Sequence, residues 1–384
     1  MNKISPNYDA IIVGARVAGA ATAMLMARSG MKVLVVDRQQ YGSDTLSTHA
    51  LMRGAVVQLS RWGVLGEIIK SGAPAIHQTK FHYKGAPVTL DIKPEYGVDA
   101  LYAPRRTILD RALVKEAIRS GATVQHNTSF LKIERDTANR IIGAIIRIGT
   151  NQPQFIRTPL IIGADGRNSR VAQEVNAPVQ VNGKYKTANI YGYFNGISNS
   201  GYRWYYDSGI AAGVIPTNDG QSCVFAACTP ERFRKDIKSG ASALFSTILK
   251  EASMELGNEI SNACLSESLH GFPGQSGFLR KSAGKGWALV GDAGYFKDPA
   301  TAHGITDAFR DAELLAKAAI YSPNMANSSY QQERDALSYD LFQTTDRIAS
   351  FKWGIPDLQL LHRDLNAVMK TENQAMFGEW AIAA

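Results

Sequence analysis

Gly14, Gly19 and Asp37 are the first residues in the chain whose types and spacing could do chemistry. The two glycines bracket Gly14-Ala15-Arg16-Val17-Ala18-Gly19, and Asp37-Arg38 follows one helical and one extended segment later. Glycine lets a backbone turn tightly beside an anion, and the N–H groups opening a helix attract a pyrophosphate. An acid about 20 residues further on can accept from a pair of ribose hydroxyls. The combination predicts a dinucleotide site. The strict pattern has another glycine where this chain has Arg16, so the guanidinium either reaches the phosphates or turns to solvent. An α/β unit without a ligand is the bland alternative.

The elements that would position these residues are legible around them. Residues 8–13 are a short apolar run with β-branched side chains, the signature of a strand buried on both faces. An Ala- and Met-rich helix runs to about Ser29, and Gly30 suits the position just past its end. Residues 32–36 form a second apolar strand ending at Asp37.

Further along, Ser47 or Thr48 is placed to cap a helix whose buried face carries Leu51, Val56, Leu59 and Trp62. Residues 79–90 read as a hairpin broken at Lys84-Gly85. A helix opens at Arg105-Arg106, with Ile108, Leu109, Ala112, Leu113 and Ile118 on one stripe, and stops at Gly121. Residues 123–126 read as a parallel strand, and 130–133, 141–148 and 154–157 as a three-stranded meander. Residues 160–164 and 287–291 are again buried parallel strands. Between them the pattern changes to alternating aromatic strands (189–195, 201–207, 222–228) with a helix near 242–252. On strand 201–207, Tyr202, Trp204 and Tyr206 share one face and Arg203 and Tyr205 the other; a pocket wall and core packing both fit. A helix is expected from about Gly304 to Ile320. Beyond Pro356, Leu358, Leu361, Leu365 and Val368 form an apolar stripe for core packing or a homodimer contact.

This reading gives a Rossmann-like α/β domain with an inserted antiparallel β-sheet domain. The first comprises 1–80, 103–171 and 283–345, the second 81–102 and 172–282, and residues 346–384 form a C-terminal helical segment. The 384 residues, 45% hydrophobic and 20% charged, can bury a sizeable core. The net charge of +8 is spread without a basic block, so no nucleic-acid partner is expected. Cys223, Cys228 and Cys264 have no metal-ligand spacing and no even disulfide set, and the first strand leaves no room for a leader. No run reaches membrane-spanning length, so the expectation is a cytoplasmic protein without a metal.

Three separated pieces together resemble one family. They are the glycine turn with Asp37, the run Gly163-Ala164-Asp165-Gly166-Arg167-Asn168-Ser169, and Gly291-Asp292-Ala293 with its downstream helix. In order and spacing they resemble the single-domain FAD-dependent monooxygenases of the p-hydroxybenzoate hydroxylase-like superfamily. Geranylgeranyl reductases and flavin halogenases are related to these. The resemblance spans roughly residues 8–319 and implies non-covalent FAD, with NAD(P)H as a transient reductant docking over the flavin.

The resemblance also implies roles. Asp292 would hold a ribityl hydroxyl. Pro299 and Gly304 match the proline turn and the glycine-opened helix under the flavin ring, where N–H groups of Gly304 and Ile305 face N1 and O2. Arg106 matches an arginine near the FAD phosphates or ribityl chain, with a surface arginine as its alternative. Asp165 belongs to a motif linked to FAD and the nicotinamide cofactor, or else caps the helix after Ser169. Thr48 lies in a segment that approaches the flavin. His49 in that segment is a candidate proton shuttle, with capping or packing as the alternative.

The implied reaction is hydroxylation of a small, aromatic substrate by dioxygen through a flavin C4a-hydroperoxide. Alternatives are a double-bond reductase, a halogenase using a lysine such as Lys80 or Lys84, and a non-catalytic FAD protein. The Cys-Gly pair of the reductase branch is absent from 42–50. The halogenase W-x-W-x-I-P signature is absent, although Trp353-Gly354-Ile355-Pro356 echoes its end.

Overall fold

The structure, a computed structural model, describes residues 5–84, 87–322, 325 and 329–378. Its first layer is a six-stranded sheet in the order Ala283–Gly284, Trp287–Leu289, Ile161–Gly163, β1 (Ala10–Val13), β2 (Val33–Val36), Thr123–Gln125. All neighbours are parallel except the edge pair formed by Ala283–Gly284 and Trp287–Leu289.

Strand periodicity divides each apolar run between two cores. Ala10, Ile12, Val33, Val35 and Ile162 face a helical layer built from α1 (Val17–Arg28) and the helices Arg106–Arg119 and Gly304–Tyr321. Ile11, Val13, Leu34, Val36 and Ile161 face the meander Thr128–Arg135, Ile141–Ile148 and Gln154–Arg157. Burial on both sides is why these strands read as unbroken hydrophobic runs.

The second sheet runs Cys264–Leu265, Ala188–Asn195, Ser222–Cys228, Ile210–Pro216, Tyr202–Asp207, Gln78–Tyr83, Pro87–Asp91. One face is covered by helices Ala241–Ala252 and Met254–Asn262, which pack on Ile190, Tyr205, Val214 and Val224. The opposite face is shared. Tyr191, Tyr193 and Tyr202 join the core of the helical layer. Tyr206, Ala211 and Ala227 take Leu358, Leu361 and Leu365 of helix Ile355–Phe377. The C-terminal stripe is therefore consumed in core packing, with Val368 partly buried beside it.

Several expectations need correction. The helix expected to be capped at Ser47 or Thr48 begins instead at Arg53, with Met52 as an N-cap that offers no side-chain bond. Ser47 Oγ instead accepts from His49 N at 3.0 Å, inside an irregular loop. Ile118 is 47% exposed, while Val114 and Ala117 complete the buried stripe of its helix. The inserted sheet is not wholly antiparallel, because Gln78–Tyr83 pairs in parallel with Tyr202–Asp207. Strand Ile210–Pro216 and helices Met254–Asn262 and Tyr330–Ala349 went unread. At the expected hairpin break, Gly85 lies outside the described residues. No helix among the described residues is long and apolar enough to cross a membrane.

The glycine turn depends on absent side chains. A Cβ on Gly19 would lie 1.8 Å from the Gly14 carbonyl oxygen, and one on Gly14 (φ +105°) 2.4 Å from Ala164 O. Both obstacles are backbone and cannot rotate away. Gly19→Val is expected to cost at least about 3 kcal/mol, the upper end of ordinary overpacking. Urea unfolding checks this, and a midpoint equal to the parent's refutes it.

Candidate functional site

The candidate site lies at the C-terminal ends of the parallel strands, where open α/β sheets bind ligands. At the end of β1 the chain turns through Gly14 into α1. Arg16 is the N-cap in extended conformation and gives no side-chain cap, so the first-turn N–H groups remain open to an anion. Val17 and Ala18 form that first turn. Asp37 leaves β2 with its carboxylate aimed back at the turn. Oδ2 accepts from Ala15 N at 2.7 Å and Oδ1 from Gln39 N at 2.7 Å. Each oxygen keeps a lone pair for a hydroxyl. Arg38 is exposed.

Two arginines flank the turn. Arg16 Nη2 donates to the Asp44 carbonyl at 3.0 Å. Burial first, then the like charge of Arg106, holds the Arg16 pKa below its usual value. Arg106 is buried and grips Asp110, with Nε 3.1 Å from Oδ1 and Nη2 3.1 Å from Oδ2. It is not the surface arginine of the alternative reading. Asp165 caps helix Arg170–Glu174, accepting from Ser169 Oγ at 2.5 Å and Arg170 N at 2.7 Å.

A second helix N-terminus converges on the first. Gly291 adopts φ +58°, and a Cβ there would meet Ala18 Cβ at 3.0 Å and Ala308 Cβ at 3.4 Å. Gly291 therefore lies between the opening turns of α1 and helix Gly304–Tyr321. That helix has no side-chain cap, and a Cβ on Gly304 would meet no atom within 4 Å, so open space lies over it. Ile305 is buried behind it and Pro299 is exposed on the preceding turn. Asp292 stands beside these N-termini, partly buried, with no hydrogen-bond donor to its carboxylate among the described residues. Desolvation lifts its pKa to about 6 against the opposing charges of Lys297, Arg167 and Arg106. Two uncapped N-termini, an acid aimed at one and an unpartnered acid beside the other suit an anionic, hydroxyl-bearing ligand such as a dinucleotide.

Below this space is an ion cluster that sequence reasoning missed. Arg310 donates to Asp307 at 2.9 Å, Asp311 at 2.7 Å and Glu372 at 2.7 Å. Lys297 pairs with Asp307, and Gly291 N donates to Asp311 at 3.2 Å. His303 lies with Nδ1 3.2 Å from Asp307 and Nε2 3.3 Å from Glu372. Burial, then the cations of Lys297 and Arg310, keeps its pKa well below the ordinary value, so its neutral ring has one N–H for two carboxylates. His303, Asp307 and Glu372 have the geometry of a three-ligand cation site, but the two cations already neutralise those carboxylates. The only signal in sequence was the density of charge in the helical run 303–311.

The loop before Arg53 reaches the second sheet. His49 is 1% exposed, with φ +45°, Nδ1 3.1 Å from Ala103 O and Nε2 3.1 Å from the Tyr193 hydroxyl. Its pKa falls to about 3, chiefly through burial and then Arg105, so the ring stays neutral. Arg105, also missed, stacks 3.6 Å from the Tyr193 ring centroid and binds Asp44 at 2.9 Å and Glu267 at 3.2 Å. It joins the loop to the sheet. Thr48 is partly buried in that loop. Trp204 and Phe225, 6.0 Å apart, lie at the seam of two cores. Tyr202, Trp204 and Tyr206 occupy this side, and Tyr205 the helix-covered side, in line with the alternation read from sequence.

Comparison with known proteins agrees with the geometry. A family model described as "FAD binding domain" matches residues 7–345. The digeranylgeranylglycerophospholipid reductase of Methanosarcina acetivorans is 24% identical over 363 residues, covering 88% of this chain and 81% of the relative. The 2,4-dichlorophenol 6-monooxygenase of Delftia acidovorans is 27% identical over 188 residues, 45% of this chain and 32% of that protein. The flavin-dependent brominase Bmp2 superposes with a TM-score of 0.78 at 15% identity, over 97% of this chain and 92% of the other. The fold is thus the p-hydroxybenzoate hydroxylase-like one expected.

Two stability measurements probe the site without ligand. Glu372→Ala leaves buried Arg310 one anion short and should cost about 3 kcal/mol in urea unfolding; an unchanged midpoint contradicts the cluster's role. Asp292, with its folded pKa raised to about 6, retains a proton that the unfolded chain releases nearer 4. The contribution of this group to stability therefore falls as pH rises from about 4 to 6. Ligand-free Asp292→Asn should be more stable than the parent above pH 6, by about 1–2 kcal/mol after allowing for partial exposure, with the difference gone near pH 4. Thermal melts across that range check the sign.

Proposed function

The chain is a member of the FAD binding domain family and a flavin-dependent oxidoreductase, and from that premise we propose that it is an NAD(P)H-dependent monooxygenase of a small aromatic substrate. The observation carrying this reading is the aromatic face of the second sheet, where Trp204 and Phe225, with ring centroids 6.0 Å apart, stay only partly buried between two cores. A planar apolar ring can stack against that wall.

In this reading the Gly14–Gly19 turn and the first turn of α1 hold the pyrophosphate, assisted by Arg16 and Arg106. Asp37 takes the ribose hydroxyls, Asp292 a ribityl hydroxyl, and the N–H groups at Gly304 and Ile305 the negatively charged edge of the ring. When bound, FAD supplies the redox chemistry, accepting hydride from NAD(P)H and activating dioxygen. The protein's own part is to bind, orient and exclude water. Val368 and Met369 of the C-terminal helix flank the aromatic wall and shield it. His49, neutral and buried, orients Tyr193, and Arg105 stacks behind that ring. Burial and the hydrogen bond to Ala103 O suit His49 to this positioning role better than to shuttling protons.

A second reading, reduction of an isolated double bond, is favoured by one observation: the reductase match extends over most of both chains. Against it, none of the three cysteines lies in the loop 42–50. For halogenation, both candidate lysines are poorly placed. Lys84 is 59% exposed and pairs with Asp207, and Lys80 is in register with Arg203, whose strand neighbour Tyr205 points to the helix-covered face.

Turnover under labelled dioxygen with phenolic substrates separates these readings. One labelled oxygen atom in the product and NAD(P)H consumption that rises with substrate are expected. A saturated double bond without label establishes the reductase, and strict dependence on halide establishes the halogenase.

A further inference from the structure

The charges beneath the opening turn of helix Gly304–Tyr321 do not balance. Asp307, Asp311 and Glu372 bring three negative charges, Lys297 and Arg310 bring two positive ones, and all five residues are buried. Among the described residues the neighbouring elements do not make up the difference. Arg334, from helix Tyr330–Ala349, is held by its own counter-ion Asp335 at 2.7 Å. Tyr295 has its ring centroid 5.3 Å from Lys297 Nζ, and burial keeps its hydroxyl protonated. Asp292, on the adjoining turn, is a further acid acting on Lys297. A net charge left in the interior is costly.

His303 is the group able to supply the positive charge. Its Nδ1 faces Asp307 Oδ1 at 3.2 Å, and its Nε2 faces Glu372 Oε2 at 3.3 Å. A neutral imidazole has one N–H and can donate to only one of these acids. Glu372 Oε2 is buried and has no hydrogen bond, so the unmet contact is on that side. A proton added at Nε2 makes the ring a donor to both acids and brings the cluster to neutrality. Burial and the cations of Lys297 and Arg310 oppose it, so the resting ring stays neutral. Further negative charge nearby shifts the balance toward the protonated ring.

Such charge arrives with electrons. His303 directly precedes Gly304 and Ile305, whose N–H groups face the negatively charged edge of the flavin in the reading above. We propose that His303, with Glu372 as its partner, is a buried proton store coupled to reduction of the cofactor; this rests on the FAD-binding reading. As NAD(P)H gives up hydride to the flavin and leaves as NAD(P)+, one proton from solvent binds His303 Nε2, and it returns to solvent on reoxidation by dioxygen. The coupling is reciprocal, so the loaded store favours the reduced cofactor.

The test is a spectroelectrochemical titration of the FAD-loaded protein against pH, comparing the parent with His303→Gln and Glu372→Gln. One proton bound per two electrons makes the parent's midpoint potential fall about 30 mV more steeply per pH unit than either variant's. Glutamine at position 303 keeps hydrogen bonding but takes no charge, so a role in packing alone leaves the slope unchanged and overturns the proposal. In the parent, nitrogen NMR of protein isotopically labelled at its seven histidines reads the ring directly. One histidine passing from neutral to doubly protonated on reduction is expected, and its absence overturns the proposal even where a variant fails to fold. A stoichiometric divalent ion in the purified protein assigns the cluster to a metal and also overturns it. A parent that binds no FAD refutes the cofactor reading itself, whereas bound FAD with equal slopes in parent and variants refutes only the store.

Discussion

A guanidinium taken out of water must be surrounded by anions, and Arg310, 1% exposed, has three of them. Each comes at the expense of its own hydration, so the group is stable only if all are held at hydrogen-bonding distance at once. That requirement fixes parts of the chain far apart in sequence. Asp307 and Asp311 belong to the helix opening at Gly304, Asp311 also receives the Gly291 amide, and Glu372 belongs to the C-terminal helix. Moving any of these elements strands a charge. The Gly291 turn and the helix N-terminus over which the cofactor is proposed to lie are thereby held in one geometry.

Small residues complete what the ions begin. Ala18, Gly291 and Ala308 let two helices bring their N-terminal turns together, and no larger side chain fits at Gly291 without moving one of them. Two positive helix ends so close would repel in a ligand-free protein unless solvated, but together they favour an anionic ligand. Asp292 has the same character: its carboxylate is destabilised by desolvation while none of the described residues donates to it. Features that make the empty site costly are those that make a polyanionic, hydroxyl-rich cofactor a good fit.

How much could be read from sequence follows from how local each feature is. The glycine turn, both flanking strands, the Asp292 turn and the helix from Gly304 are written in contiguous residues, and the structure has them in place. The faces of strand Tyr202–Asp207 were legible for the same reason, since alternation is a local pattern. Ser47 and Thr48 misled because a capping residue type does not reveal whether the loop is held elsewhere, here by His49 against Ala103 and Tyr193. Arg105 and Glu372 carried no sequence signal. Their partners Tyr193 and Arg310 are distant in the chain, and neither falls in a recognisable spacing. Strand Ile210–Pro216 was invisible because both its faces are buried and its pattern does not alternate.

The C-terminal helix has a consequence for truncation. Leu358, Leu361 and Leu365 cover Tyr206, Ala211 and Ala227, and Glu372 closes the ion cluster, so one helix completes both the sheet face and the charge cluster. A chain without this helix would show a bare aromatic sheet face and leave Arg310 one anion short. Such exposed surface is what holdase chaperones bind and what aggregates when they are scarce. Loss of this helix would therefore uncover a sheet whose strands all lie earlier in the chain.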